Sequence, residues 1–246
     1  MTDVRDERLV KKLVDEVVEQ VHASETSSNP AFKKILPLLI EKGIDNVNLS
    51  MFNDDLKKQL LDTLGDEYAR KGRMPDAIKV FSMTANRRRL SEIGEEFEKV
   101  GLYSDAVQCF VQANNHEKLA VLGGKCLRNG HLKDAMTAFS ATGDTDNLNR
   151  VGTECIEKNK LDYAIEIFGM TGNSEQLIHV GKKCMDQKKY ASSVKAFALA
   201  DDRDGLNLVG DVCLRENLVN TALKAYENAQ NEAMVAFVKS NFVSAA

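Results

Sequence analysis

Apolar positions in this chain recur at one fixed interval. The aromatic series Phe52, Phe81, Phe110, Phe139, Phe168, Phe197 and Tyr226 advances by 29 residues at every step. Leu61, Leu90, Leu119, Leu148, Leu177 and Leu206 keep the same step, and so do Gly65, Gly94, Gly123, Gly152, Gly181 and Gly210. Tyr68, Phe97, Cys126, Cys155, Cys184 and Cys213 make another column; Ala77, Ala106, Ala135, Ala164, Ser193 and Ala222 make a small one. Independent columns with one period and no insertion specify an array of like units.

Within a unit the apolar spacing is helical. Leu90, Ile93, Phe97 and Val100 fall at i, i+3, i+7 and i+10, the stripe of a first helix, and Ala106, Val107, Cys109 and Phe110 form the face of a second. A turn residue separates the two: Gly72, Gly101, Gly130, Asn159 and Asn217, with Lys188 as the exception. Gly or Asn there supplies the left-handed residue that ends a helix. Asn86, Asn115, Asp144, Asn173, Asp202 and Asn231 share a column suited to capping the next first helix, and acids follow two residues later at Glu117, Asp146, Glu175 and Asp204, where the helix dipole favours them. About two non-helical residues join one unit to the next. A glycine inside a helix costs about 0.5–1 kcal/mol relative to alanine. Its recurrence therefore predicts close approach of the two helices of a unit, with the small column at Ala77 facing it.

One unit reads Leu61-x2-Leu64-Gly65-x2-Tyr68, then Ala77-x3-Phe81, then Thr84. This resembles the tetratricopeptide family, and the likeness covers residues 58–231, about 70% of the chain. The departures are a period of 29 rather than 34, Leu in the first aromatic slot and no closing proline. In these respects the units are similar to the short helix pairs of clathrin-type and intraflagellar-transport solenoids. The resemblance implies an all-α fold: a right-handed α-solenoid of antiparallel helix pairs, a tetratricopeptide-like superhelix. It also implies a protein-binding scaffold or adaptor, or a structural segment of a larger trafficking or transport assembly. No set of residues matches the family's peptide-carboxylate clamp, and none is carried over.

Four segments follow. Residues 1–28 read as an N-terminal capping helix and linker: Val10, Leu13, Val14, Val17, Val18 and Val21 make one face over about residues 4–23, which either caps the first unit or dimerises. Residues 29–57 form a degenerate unit, with Phe32, Ile35, Leu39, Gly43 and Phe52 in register and Pro37 inside its first helix. Residues 58–231 hold six full units. Residues 232–246 are a capping helix or the first half of a truncated unit, with Phe237 exposed by the register.

Charge and composition narrow the function. The net charge is −4, a poor match to phosphate backbones, so nucleic acid is not an expected partner. No apolar run approaches the roughly 18–20 residues of a membrane span, so no membrane insertion is expected, and the expected location is the cytoplasm. The five cysteines are odd in number and lack CxxC spacing, which argues for packing rather than disulfides or zinc. No cofactor, metal site or catalytic constellation is expected. Arg87-Arg88-Arg89 is either a solvated loop or an anion site.

In the resemblance the first helices line the binding face. Their non-core positions are charged in early units, at Asp66, Arg70, Glu92, Glu95, Glu98 and Lys99. They turn apolar later, at Val121, Ile178 and Leu208, flanked by Arg128, Arg150, His179 and Lys182. These seven residues are the expected groove for a partner protein or peptide segment. Leu127, Ile156, Met185 and Leu214 share another column, read as packing between units.

Overall fold

The computed structural model describes residues 32–44, 49 and 52–242. The expected helix at residues 4–23 lies outside them. The described residues form fourteen α-helices and no strand. They fall into two compact units divided after Asn115.

The first unit holds α1 (Phe32–Lys42), α2 (Asp54–Arg70), α3 (Met74–Met83), α4 (Arg87–Lys99) and α5 (Tyr103–Gln112). Here α2 packs on α3 and α4 on α5. Phe32, Ile35, Leu39 and Phe52 of the degenerate unit are buried in the same core as Leu61, Leu64, Tyr68 and Phe81. Pro37 sits exposed within α1. The second unit holds α6 (His116–Arg128), α7 (Leu132–Thr142), α8 (Thr145–Glu157), α9 (Leu161–Thr171), α10 (Ser174–Asp186), α11 (Tyr190–Leu199), α12 (Arg203–Arg215), α13 (Val219–Asn228) and α14 (Glu232–Asn241). Its pairs are α6 with α7, α8 with α9, α10 with α11 and α12 with α13. Successive second helices also touch, α9 with α11 and α11 with α13.

The glycine column explains the close pairing. A Cβ placed on Gly65, Gly94, Gly152, Gly181 or Gly210 would stand 2.6–2.8 Å from the ring of Phe81, Phe110, Phe168, Phe197 or Tyr226. Each glycine is thus the seat of the aromatic residue sixteen positions on. The facing group is the ring, where the sequence suggested the small column; the small column lies beside it. Ser193, in that column, donates from Oγ to the Gly181 carbonyl at 2.9 Å, so a residue larger than Ala or Ser would be driven into the first helix backbone. Val100, placed in the core stripe by its spacing, is instead the C-cap residue of α4 and is 70% exposed.

Every turn is a left-handed cap. Gly43, Gly72, Gly101, Gly130, Asn159, Lys188 and Asn217 all have positive φ, so Lys188 adopts the conformation of its column without the residue type that favours it. A second column, Ala85, Asn114, Gly143, Gly172, Asp201 and Gln230, does the same between units. The bonds are those of Schellman motifs. Arg73 N–H reaches the Tyr68 carbonyl and Lys189 N–H the Cys184 carbonyl; between units, Asn86 N–H reaches Phe81 and Asp144 N–H reaches Phe139, all at 2.8–3.0 Å. The ring residue's own carbonyl therefore anchors the cap of the next first helix. Asn86, Asp144, Asn173, Asp202 and Asn231 then accept the backbone N–H three residues on, at 3.0–3.2 Å. For Asp144 this N–H, with the Asn147 side chain, holds the carboxyl below its usual range.

The cap type sets a further contact. Asn115, Asn173 and Asn231 donate from Nδ2 to Ser91, Asn149 and Asn207, each 24 residues earlier. Where the cap is Asp144 or Asp202, with no donor to offer, the residue 24 earlier is Ala120 or Ile178.

Two outcomes are expected. Gly152→Ala should destabilise by about 1–3 kcal/mol, the scale of overpacking, despite alanine's better helix propensity. Adding Phe168→Leu should recover part of that loss in a double-mutant cycle of melting curves; a parental melt for Gly152→Ala would rule out the ring-seat account. Separately, Ala85→Gly and Lys188→Gly should each stabilise by about 0.5–1 kcal/mol by relieving left-handed strain. The exposed Lys188–Glu216 pair, at 3.2 Å, is worth little against that. A lowered melting temperature for both would contradict the assignment.

Candidate functional site

All seven groove residues lie in the second unit, on its first helices. Val121 and Arg128 are on α6, Arg150 on α8, Ile178, His179 and Lys182 on α10, and Leu208 on α12. Val121, Arg150, His179 and Leu208 share one register, because each is 29 residues from the next. All are exposed, Val121 at 64% and Leu208 at 50%. Ile178 differs. It is half-buried and packs against the core of the last units, so it is not part of an exposed apolar surface. Its column is that of Ala120, Asn149 and Asn207, and like Ala120 it stands 24 residues before an aspartate cap.

The Leu127 column behaves as packing. Ile156 is buried, and Met185 and Leu214 are half-buried against the same core. Phe237 on α14 was not among the expected groove residues. It continues the Val121–Leu208 register by one further step and is 48% exposed. The step of 29 from Leu208 was sufficient to find it. Its ring meets Phe242 edge to face at 6.0 Å.

Three of the seven, Arg128, Arg150 and Leu208, line two shallow depressions. One, of about 380 Å³, is lined by Leu127, Arg128, Arg150, Thr153, Glu154 and Lys158. The other, of about 460 Å³, is lined by Leu208, Asp211, Leu214, Arg215, Tyr226 and Met234. Val121, Ile178, His179 and Lys182 line neither.

Charge pairing separates the two units. In the first, Arg70 is bound to Glu67 at 2.6 Å, Arg88 to Glu92 at 2.8 Å, and Arg89 to Asp66 at 2.7 Å and also to Glu92. Hydrogen bonds from these guanidinium groups hold Glu67 and Glu92 below the usual carboxylate range. Arg88 and Arg89 of the basic run are thereby compensated. In the second unit Arg150 donates from Nη1 to the Asn147 side-chain oxygen at 2.9 Å and acts on Asp144 at longer range. Arg128 lies along Gly124 with no carboxylate partner among the described residues.

Tyr226 takes the place of phenylalanine in the ring column, and its hydroxyl donates to Asp211 Oδ1 at 2.6 Å. Burial first, then that carboxylate, pushes the phenol well above its usual range. All five cysteines are buried free thiols. Burial pushes Cys109, Cys184 and Cys213 up to about 11. Among the described residues no three His, Cys, Asp or Glu side chains converge as a metal-binding group, and no helix is long and apolar enough to cross a membrane.

No protein-family model matches this chain, and no curated protein matches it at a significant level.

The buried thiols have a direct consequence. At pH 8, iodoacetamide should leave Cys109, Cys184 and Cys213 unlabelled in the native protein while labelling them fully in denaturant, as read by mass spectrometry. Labelling at the denatured rate would mean these thiols are not packed in the core.

Proposed function

We propose that this chain is a non-catalytic protein-binding scaffold of the tetratricopeptide-like kind. In this reading its helix pairs are antiparallel and stack as a right-handed solenoid. A partner segment lies along the exposed face of the first helices in the second unit. One observation carries the proposal: Val121, Leu208 and Phe237 stand exposed in a single register on α6, α12 and α14, where the first unit has the ion-paired Glu92. Large apolar side chains aligned on one surface mark an interaction site. Arg150 and His179 occupy the same register between them, so the surface is mixed, as transient interfaces are.

Burial of all five cysteines, with three thiols raised to about 11, supports a non-catalytic role, because a thiolate nucleophile needs the reverse shift. Free thiols also fit the reducing cytoplasm. A second reading, a structural segment of a larger trafficking or transport assembly, is favoured by α14. There Phe237 and Phe242 present a pair of rings 48% and 45% exposed, a surface suited to association through the terminal helix.

The variant Val121→Glu with Leu208→Glu separates these. Both positions are exposed, so melting should shift by no more than about 0.5 kcal/mol. Partner proteins recovered with the parent chain and identified by mass spectrometry should be lost. Loss of folding would make these residues core, and an unchanged partner set would move the site elsewhere. A variant Phe237→Glu with Phe242→Glu that alone loses the partners would favour the assembly reading.

A further inference from the structure

We propose that the groove between α13 and α14 is an open helix seat, and that residues 4–23 of a second copy of this chain fill it. The inference goes beyond the scaffold reading and does not depend on it.

The groove holds about 620 Å³, with Glu227 of α13 on one wall and Val235, Ala236 and Lys239 of α14 on the other. Earlier pairs show what such walls carry. Val235, Lys239 and Phe242 stand one step of 29 beyond Leu206, Gly210 and Cys213. Those three are buried, with Gly210 against the Tyr226 ring of α13. Val235 is only half-buried, and Lys239 and Phe242 are exposed. Glu227 continues the column Ser82, Val111, Ser140, Gly169 and Ala198, where one second helix meets the next. A Cβ on Gly169 would stand 3.1 Å from Leu199, and Ser140 Oγ lies 4.0 Å from Met170 Sδ. Both walls are thus the ones that a second helix covers in earlier pairs.

Both columns change character at this groove. Glycine gives way to Lys239 and a mostly small column to Glu227, and the two side chains pair at 3.2 Å. At Gly65, Gly94, Gly152, Gly181 and Gly210 the ring leaves no space even for a Cβ, so beside Lys239 the usual ring has no place. A helix that fits here carries short side chains where its predecessors carry a ring, and charges on both edges.

Residues 4–23, which lie outside the described residues, have that chemistry. Residues 1–31 contain no Phe, Tyr or Trp. At helical spacing Val10, Leu13, Val14, Val17, Val18 and Val21 make one stripe of about three turns. The second helices α11 and α13 are 10 residues each, also about three turns. Lys11 falls on one edge of the stripe and Glu16 on the other, so Glu227 and Lys239 each meet an opposite charge. The exposed Glu227–Lys239 pair is easily opened for that exchange. The seats at Gly65 and Gly94 in the segment's own unit already hold Phe81 and Phe110. Eight residues, about 28 Å at full extension, tether the segment to α1, which belongs to the other unit from α14, and the donor is a second copy. Such a head-to-tail contact leaves a segment and a seat free at the ends, so copies add until a ring closes.

The test uses the full chain with Val14→Cys and Ala236→Cys, treated with oxidised glutathione and checked for folding by circular dichroism. Ala236 is exposed in the groove, and the five native thiols are buried and stay out of the reaction. We expect a 14–236 disulfide, identified by mass spectrometry, in products of two or more chain masses. Moving the first cysteine to the opposite helix face, Lys12→Cys, should cut the yield by about fivefold or more. Equal yields would mean collision without docking and overturn the proposal. A 14–236 disulfide confined to single chains, or a 236–236 disulfide in its place, gives the seat to another occupant and also overturns it. Hydrogen exchange supplies a readout without introduced thiols. Val14→Glu with Val17→Glu should speed exchange of the α14 amides by about tenfold or more and leave α8 and α9 unchanged. Unchanged exchange in α14, or a parent chain that sediments only as a monomer, would refute the seat assignment.

Discussion

The contact on which this fold depends is an aromatic ring laid against a glycine. A Cβ at Gly65, Gly94, Gly152, Gly181 or Gly210 would stand within 2.8 Å of a ring atom, so the two helices of a pair approach more closely than any side chain allows. The helix loses about 0.5–1 kcal/mol at each such glycine. Burial of the ring, worth about 1.5–3 kcal/mol, more than offsets it. The same residue then reaches forward, since the carbonyls of Phe81, Phe110, Phe139, Phe168, Phe197 and Tyr226 each accept the N–H of the next helix cap. Pairing within a unit and connection to the next are thus fixed by one residue, through its ring and its backbone. That coupling is consistent with a period that runs without an insertion.

The columns were legible because burial and turn geometry each demand a narrow set of residues at a fixed spacing. What faces what was less so. Spacing alone cannot tell whether Ala77 or Phe81 meets Gly65, since both lie on the buried side of α3. The turn at Lys188 looked exceptional by residue type, yet its φ of 58° is that of Gly72 and Asn159. There the loop length imposes the conformation, and sequence preference only makes it easier. Val100 failed for a related reason: its spacing continues the stripe, but the helix has already ended.

The candidate surface was legible by subtraction. Val121 and Leu208 fall outside every core column, and they are exposed. Ile178 is half-buried rather than exposed, and the residue type in its column tracks the cap of the next repeat. An asparagine cap sends its amide back to a polar side chain, as Asn173 does to Asn149 and Asn231 to Asn207. An aspartate cap has no hydrogen to send, so at Ile178 the polar partner is unnecessary and an apolar one packs. This dependence lies 24 residues away, beyond any single helix pattern. The depression at Arg128 and Arg150 was equally hidden, because Leu127 and Arg128 come from one repeat and Arg150, Thr153, Glu154 and Lys158 from the next.

A strict architecture has a functional corollary. Ring, glycine, small residue and cap occupy the buried and turn positions of each unit, so change without loss of packing is confined to the outer columns of each helix. On the first helices of the two units that freedom is used unequally. In the first unit several of these charges neutralise one another, Arg89 between Asp66 and Glu92 and Arg70 on Glu67. A surface whose charges are already satisfied gains little from a charged partner, because each new contact must first break an old one. Among the described residues, the second unit leaves Arg128 without a carboxylate and Leu208 half in water, both states that an incoming group improves. In the scaffold reading we propose, specificity resides in which outer positions are left unsatisfied, and the repeat beneath them holds those positions at a fixed spacing.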